Sequence, residues 1–173
     1  MKQFYLIVLL IYTANAFGQD SIPKRIFEWG VFKQNHLLIG YSYNYQEREK
    51  PKYHVLELGF VHSKFMHYNE SADFSYYLAS EFVINKHDFS IGPKIGAYVG
   101  IWGFCAGTDL VWYTNFNDGA LRLVPFLGLG SEKGKIYLSF HIPITNKDYS
   151  GIHVPSIGVT FNLIPLSKKK KID

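Results

Sequence analysis

Glu57, Glu81, Lys94, Asp109 and Arg122 are the residues of this chain whose types and spacing point first to chemistry. Each lies in a stretch where bulky apolar residues alternate with small or polar ones, and each takes the small or polar side. A period of two is the strand period, so all five charges project from one face of a sheet. Strand pairing sets their heights. If Ile84 pairs with Phe89, Glu81 lies opposite Gly92; a two-residue loop at Gly100-Ile101, with Val99 opposite Trp102, sets Gly92 opposite Asp109 too. Arg122 then falls opposite Val111, beside Asp109, and Glu57 comes to the same row or the next. The result is a belt of three carboxylates and two cations, with Gly92 leaving room for side chains to meet across its strand. Such a belt can serve as an ion path or proton relay, or it can cross-link five strands by mutual pairing. Unpaired charges away from water are expensive, so pairing is the expected state and the belt is read as structural.

Ser139 and His141 form the second constellation. Two residues apart on one strand face, they stand roughly 7 Å from each other, which suits a nucleophile and its base, with Glu132 or Asp148 as the orienting acid. A Ser-x-His spacing also arises often by chance, and no catalysis is expected. The seven histidines show no His-x-x-x-His spacing and Cys105 is the lone cysteine, so neither a metal site nor an intrachain disulfide framework is expected. The glycines sit on strands or in a tight turn and build no phosphate-binding loop, so no cofactor is expected either.

The elements that must carry these residues are strands throughout. From Phe89 to Tyr113, Ile91, Pro93, Ile95, Ala97 and Val99 share one face, and after the turn Trp102, Phe104, Ala106, Leu110 and Trp112 do. Glycine at the first loop position suits a type II′ hairpin at Gly100-Ile101. The same alternation predicts strands at 37–45, 55–65, 74–84, 121–129, 136–142 and 157–163, which with the hairpin makes eight. Bulk lies on one face and glycine, small residues and single charges on the other, the pattern of a barrel with an apolar exterior and a polar interior. Pro93 and Pro125 predict bulges or positions near a strand end.

Composition agrees. Of 173 residues 18% are charged and 17% aromatic, and no run approaches the roughly 20 apolar residues of a spanning helix. Residues 1–16 have Lys2, an apolar core and a Thr13-Ala14-Asn15-Ala16 ending, as a signal peptide does. Residues 17–35 read as a lead-in segment or an extra strand at 26–32, which would make the count odd. The barrel occupies 36–163, and 164–173 is a basic tail whose lysines 168–171 suit anionic headgroups better than nucleic acid.

On this pattern the chain resembles small outer-membrane β-barrel proteins of the OmpX and OmpA transmembrane-domain type over about residues 36–163, with Ile157, Val159 and Phe161 like the terminal strand read by barrel-assembly machinery. The resemblance implies an eight-stranded antiparallel up-and-down transmembrane barrel in the cell outer membrane. Both termini and the turns at 100–101 and 131–134 then face the periplasm, and the loops at 46–53, 85–88, 114–119 and 145–152 face outside. The partners it implies are outer-membrane lipid and the assembly machinery; no external ligand is identified. The role is structural or surface-binding. The alternatives are a lipid-modifying barrel enzyme using Ser139 and His141, a porin-like small-solute channel, or, with the faces reversed, a soluble barrel carrying an apolar ligand.

Overall fold

The computed structural model describes residues 30–44, 53–67, 72–84, 89–147, 149 and 155–172. The signal peptide, residues 26–29, Asp148 and most of the expected outer loops lie outside the described residues. The strands are β1 (Gly30–Asn44), β2 (Tyr53–His67), β3 (Ala72–Ile84), β4 (Phe89–Ile101), β5 (Phe104–Thr114), β6 (Gly119–Ser131), β7 (Gly134–Ser139), β8 (Ile142–Pro143), β9 (Ser156–Pro165) and β10 (Lys170–Ile172). Each of β1 to β6 pairs antiparallel with the next, β7 pairs with β9, and β9 returns to β1. β7 and β8 form one stave, both paired in the same register with β6. The fold is therefore an eight-stranded closed antiparallel barrel, and closure leaves no long sheet edge exposed.

The stagger can be followed residue by residue. Gln34 pairs with Ser63, Ser63 with Ser75, Ser75 with Tyr98, Tyr98 with Gly107, Gly107 with Phe126, Phe126 with Ser139, Ser139 with Ser156, and Ser156 with Asn44. One circuit thus returns to β1 ten residues beyond its start, at 44 rather than 34. That stagger over eight strands inclines them by about 40° to the barrel axis.

Alternation assigns the faces as the sequence predicts. One outward row runs through Leu37, Phe60, Leu78, Ile95, Leu110, Leu123 and Ile142 without a polar residue. Phe60, Leu78 and Ile95 are each at least 60% exposed, while Glu57, Lys94, Asp109 and Arg122 are under 5% exposed. A water-soluble fold would bury the first set and expose the second.

Three expectations need correction. The β4–β5 loop is Trp102-Gly103, not Gly100-Ile101: Ile101 pairs with Phe104 and Val99 with Ala106 rather than with Trp102. Trp102 has φ 53° and Gly103 φ 82°; positive φ at both central positions makes the turn type I′, not II′, and its twist matches that of the strands. The longer hairpin gains the pairs Gly100–Cys105 and Ile101–Phe104. The slip is even, so every side chain keeps its face, but Asp109 pairs with Gly96 instead of Gly92.

Pro93 and Pro125 lie in mid-strand and produce no bulge. The β4–β5 register is the same at Ile91–Thr114 as at Lys94–Val111, with pairing skipped around Pro93. Phe140 N donates to Pro125 O at 3.0 Å, but Pro125 has no N–H to return, which is why the stave breaks between β7 and β8. The bulge lies elsewhere: Leu37 pairs with Ile164 and Leu38 with Asn162, leaving Leu163 as the extra residue.

The barrel also runs further than 36–163. Residues 30–35 extend β1 rather than adding a strand, β9 reaches Pro165, and Lys170–Ile172 of the basic tail pair with Val31–Lys33. β10 covers the edge of β1 below the point where β9 leaves it.

Candidate functional site

Inside the barrel, Lys94 on β4 is the centre of a charged knot. Its Nζ lies 2.8 Å from Glu81 Oε1, 2.9 Å from Glu57 Oε1 and 3.3 Å from Asp109 Oδ2. Glu57 and Glu81 are directly opposed on β2 and β3, and Glu81 faces Gly92 on β4. Two like charges in one cross-strand pair would repel; the ammonium between them removes that penalty.

The inward positions of β4 alternate glycine with this lysine, and the spacing matters. A Cβ on Gly92 would stand 2.7 Å from the Tyr113 ring, and one on Gly96 would run into the Asp109 carboxylate and the Tyr77 ring. Across the first gap Tyr113 OH donates to Glu81 Oε2; across the second Tyr77 OH donates to Asp109 Oδ1. Glu81 and Asp109 therefore each have one oxygen on Lys94 and the other on a tyrosine from two strands away. These charge-assisted bonds hold β3, β4 and β5 together through the lumen.

Four of the five belt residues come together; Arg122 does not. It pairs with Val111 as expected, two residues along the strand from Asp109, but both Asp109 oxygens are taken by Lys94 and Tyr77. Among the described residues no carboxylate lies within ion-pair distance of Arg122, and its Nη2 donates instead to Tyr149 O at 3.1 Å. Tyr149 is buried in the barrel mouth, with its hydroxyl 3.0 Å from Ser90 Oγ.

Lys135 is a buried lumen cation that the charge pattern did not single out. It stands 5% exposed with its Nζ 4.2 Å from the Tyr98 ring centroid, 4.3 Å from Phe126 and 4.6 Å from Tyr77. Three ring faces around one ammonium supply the electrostatic attraction that water would otherwise give. Its parity with Tyr137 is readable in the sequence, one residue past the 131–134 turn.

Ser139 and His141 both face the lumen, but Ser156 stands between them. Ser139 Oγ lies 2.5 Å from Ser156 Oγ, and His141 Nε2 lies 3.3 Å from the same oxygen. Glu132 sits in the β6–β7 turn, past the far end of β7 from His141, so it does not orient that ring. Among the described residues no group of three or more His, Cys, Asp or Glu side chains is placed to hold a metal ion.

Apolar clusters close the lumen on both sides of the knot. Tyr53, Val55, Val83, Val111, Val124 and Tyr149 pack in one, and Leu38, Val61, Tyr77, Tyr98, Phe126 and Tyr137 in the other. Eight strands enclose a space just wide enough for side chains to fill. The fold and its interior define a closed β-barrel with a charged, packed core and an apolar exterior. Comparison with protein-family models, with curated proteins and with solved structures finds no match for this chain.

Proposed function

We propose that the protein is an integral outer-membrane β-barrel with a structural or surface-binding role, of the same general kind as the OmpX and OmpA transmembrane domains. One observation carries this reading: the polarity of the barrel is inverted around its circumference, with charges at its centre and large apolar side chains such as Leu78, Leu127, Ile136 and Phe161 exposed outside. An exposed apolar band of that extent in water would drive aggregation; in a bilayer it is the contact surface. Strands of 11 to 15 residues, as in β1 to β6, meet or exceed the 9 to 11 a tilted spanning strand needs.

The packed lumen favours a barrel that neither conducts nor catalyses. Lys94 is held by three carboxylates and lies between two buried apolar clusters. Ser139, Ser156 and His141 are buried where a lipid chain has no route to them. Binding at the surface then falls to the loops at the end opposite the Trp102-Gly103 and Glu132-Lys133 turns. The chain reaches the membrane through export and the barrel-assembly machinery.

Carbonate washing of membranes from cells expressing the full chain tests this. Retention in the pellet, release by detergent alone, and a folded form that runs faster on gels until boiled are the expected results. Release into the carbonate supernatant would overturn the membrane reading.

A further inference from the structure

Lys64, Lys33 and Lys170 occupy directly opposed positions on three neighbouring strands. Lys33 of β1 pairs with Lys64 of β2 on one side and with Lys170 of β10 on the other. Directly opposed residues share a face, and Lys33 has the parity of Ile39 and Tyr41, both exposed outside. The three ammonium groups therefore form one row on the exterior of the barrel.

Like charges in direct register repel, so three opposed ammonium groups cost stability unless an anion neutralises them. Among the described residues no carboxylate lies within ion-pair distance of any of them; the ion pairs formed there are those of Lys94. The fold also ties the third lysine into place. After β9 leaves β1, Leu166 N donates to Asn35 O at 2.8 Å, Asn35 N donates to Ser167 Oγ at 2.9 Å and Gln34 Nε2 donates to Ser167 O at 3.2 Å. These bonds hold the chain to β1 beyond β9, so that β10 continues antiparallel along Val31–Lys33. A row of cations that the backbone brings together, rather than lets apart, calls for an anion between them.

Its position says which anion. On the outer face one step up, Asn35 and His62 are hydrogen-bonded to each other at 2.6 Å, and one step further Leu37 and Phe60 begin the apolar band. One step below the lysines Val31, Met66 and Ile172 make the same face apolar again, so the cations stand between apolar surfaces, where an anion that carries acyl chains of its own fits better than a free one. The row lies at the end of the barrel that carries the two tight turns, where short turns face the periplasm in barrels of this kind.

We propose that Lys64, Lys33 and Lys170 form a binding site for the phosphate headgroup of an anionic glycerophospholipid at the periplasmic rim. The site rests on the membrane reading above. Lysine suits it as a mobile point charge that can follow a headgroup, and Lys33 at the centre contributes most because both neighbours share its anion.

Native mass spectrometry of the full chain, released from detergent micelles holding equal phosphatidylglycerol and phosphatidylcholine, tests the site. The wild type is expected to retain phosphatidylglycerol in preference. Lys33→Gln should lower that preference about fivefold, the triple Lys33→Gln/Lys64→Gln/Lys170→Gln variant should abolish it, and the triple Lys→Arg variant should keep it. Heat-modifiable mobility identifies folded barrel in each sample, and Lys33→Gln alone carries the test if the triple variant does not fold. An unselective wild type, or a folded Lys33→Gln variant as selective as wild type, overturns the inference. Inorganic phosphate that displaces the lipid at equal concentration overturns the lipid as the source of the anion. Insertion into vesicles of either lipid separates the two readings: inserted but unselective protein refutes this site alone, and protein that carbonate removes from both refutes the membrane reading with it.

Discussion

Tyr113 on β5 reaches Glu81 on β3 by passing over Gly92 of the strand between them. Tyr77 and Asp109 repeat the arrangement over Gly96 with the strands exchanged: here the tyrosine is on β3 and the acid on β5. Lys94 lies between the two crossings and takes the remaining oxygen of each acid. Removing either hydroxyl leaves a buried carboxylate short of one donor. Tyr113→Phe and Tyr77→Phe should each destabilise the barrel by about 1.5–3 kcal/mol. Urea titration followed by the gel shift between folded and unfolded forms measures it, and a loss under half a kcal/mol would show that the crossings are incidental.

Lys94 is the larger case because three carboxylates share it. Lys94→Met keeps the length of the side chain and removes the charge, so it should cost about 3–5 kcal/mol. Neutralising the acids as well, with Glu57→Gln, Glu81→Gln and Asp109→Asn in the same chain, should recover much of that loss, since a neutral network has no stranded charge. Single-channel recording gives a second reading of the same residue. The wild type should show no steady conductance in planar bilayers, and a steady open state abolished by Lys94→Ala would refute a purely structural belt.

The glycines of β4 and the glycine of the turn should resist replacement for different reasons, contact in the first case and backbone conformation in the second. Gly96→Ala places a methyl group against Asp109 and Tyr77 at once, and overpacking of that sort costs about 1–3 kcal/mol. Gly103→Ala meets nothing within 4 Å, and its cost arises from the positive φ of 82° alone, about 1–2 kcal/mol. A Gly103→Asn replacement separates the causes: asparagine tolerates the left-handed region, so it should regain most of the loss at 103, whereas at 96 it should be worse than alanine.

The period of two carried most of the fold and part of the site. It placed Glu57, Glu81, Lys94, Asp109 and Arg122 on the inner face before any register was known, and an even slip in a hairpin cannot move a residue to the other face. Register was harder. Gly100 and Gly103 both offer a turn, and choosing between them depends on Trp102 accepting a left-handed backbone, which tryptophan rarely does. That one choice moved Asp109 from Gly92 to Gly96, whereas Arg122 kept its expected place opposite Val111 and lost Asp109 to Lys94 and Tyr77. Tyr77 and Tyr113 stayed hidden as partners because their hydroxyls act two strands away from their own backbone, and no local pattern reports a side chain's reach. The tail at 168–171 looked like a solvated run; its pairing with β1 depends on an edge that β9 leaves open only because the chain turns at Leu166.

Leu78 offers the sharpest test of what surrounds the barrel. It lies in mid-β3 between Phe60 and Ile95, points outward and is 63% exposed. On a water-soluble protein, replacing such a residue by lysine would change stability by no more than about 0.5 kcal/mol in either direction. Against lipid, the same ammonium at mid-depth costs about 2–4 kcal/mol. Leu78→Lys should therefore weaken folding into vesicles by that amount, while Lys64→Leu, on the same face two rows nearer the rim, should not. Equilibrium unfolding from vesicles measures both, and a Leu78→Lys variant as stable as the wild type would mean that water, not lipid, covers the band from Leu37 to Ile142.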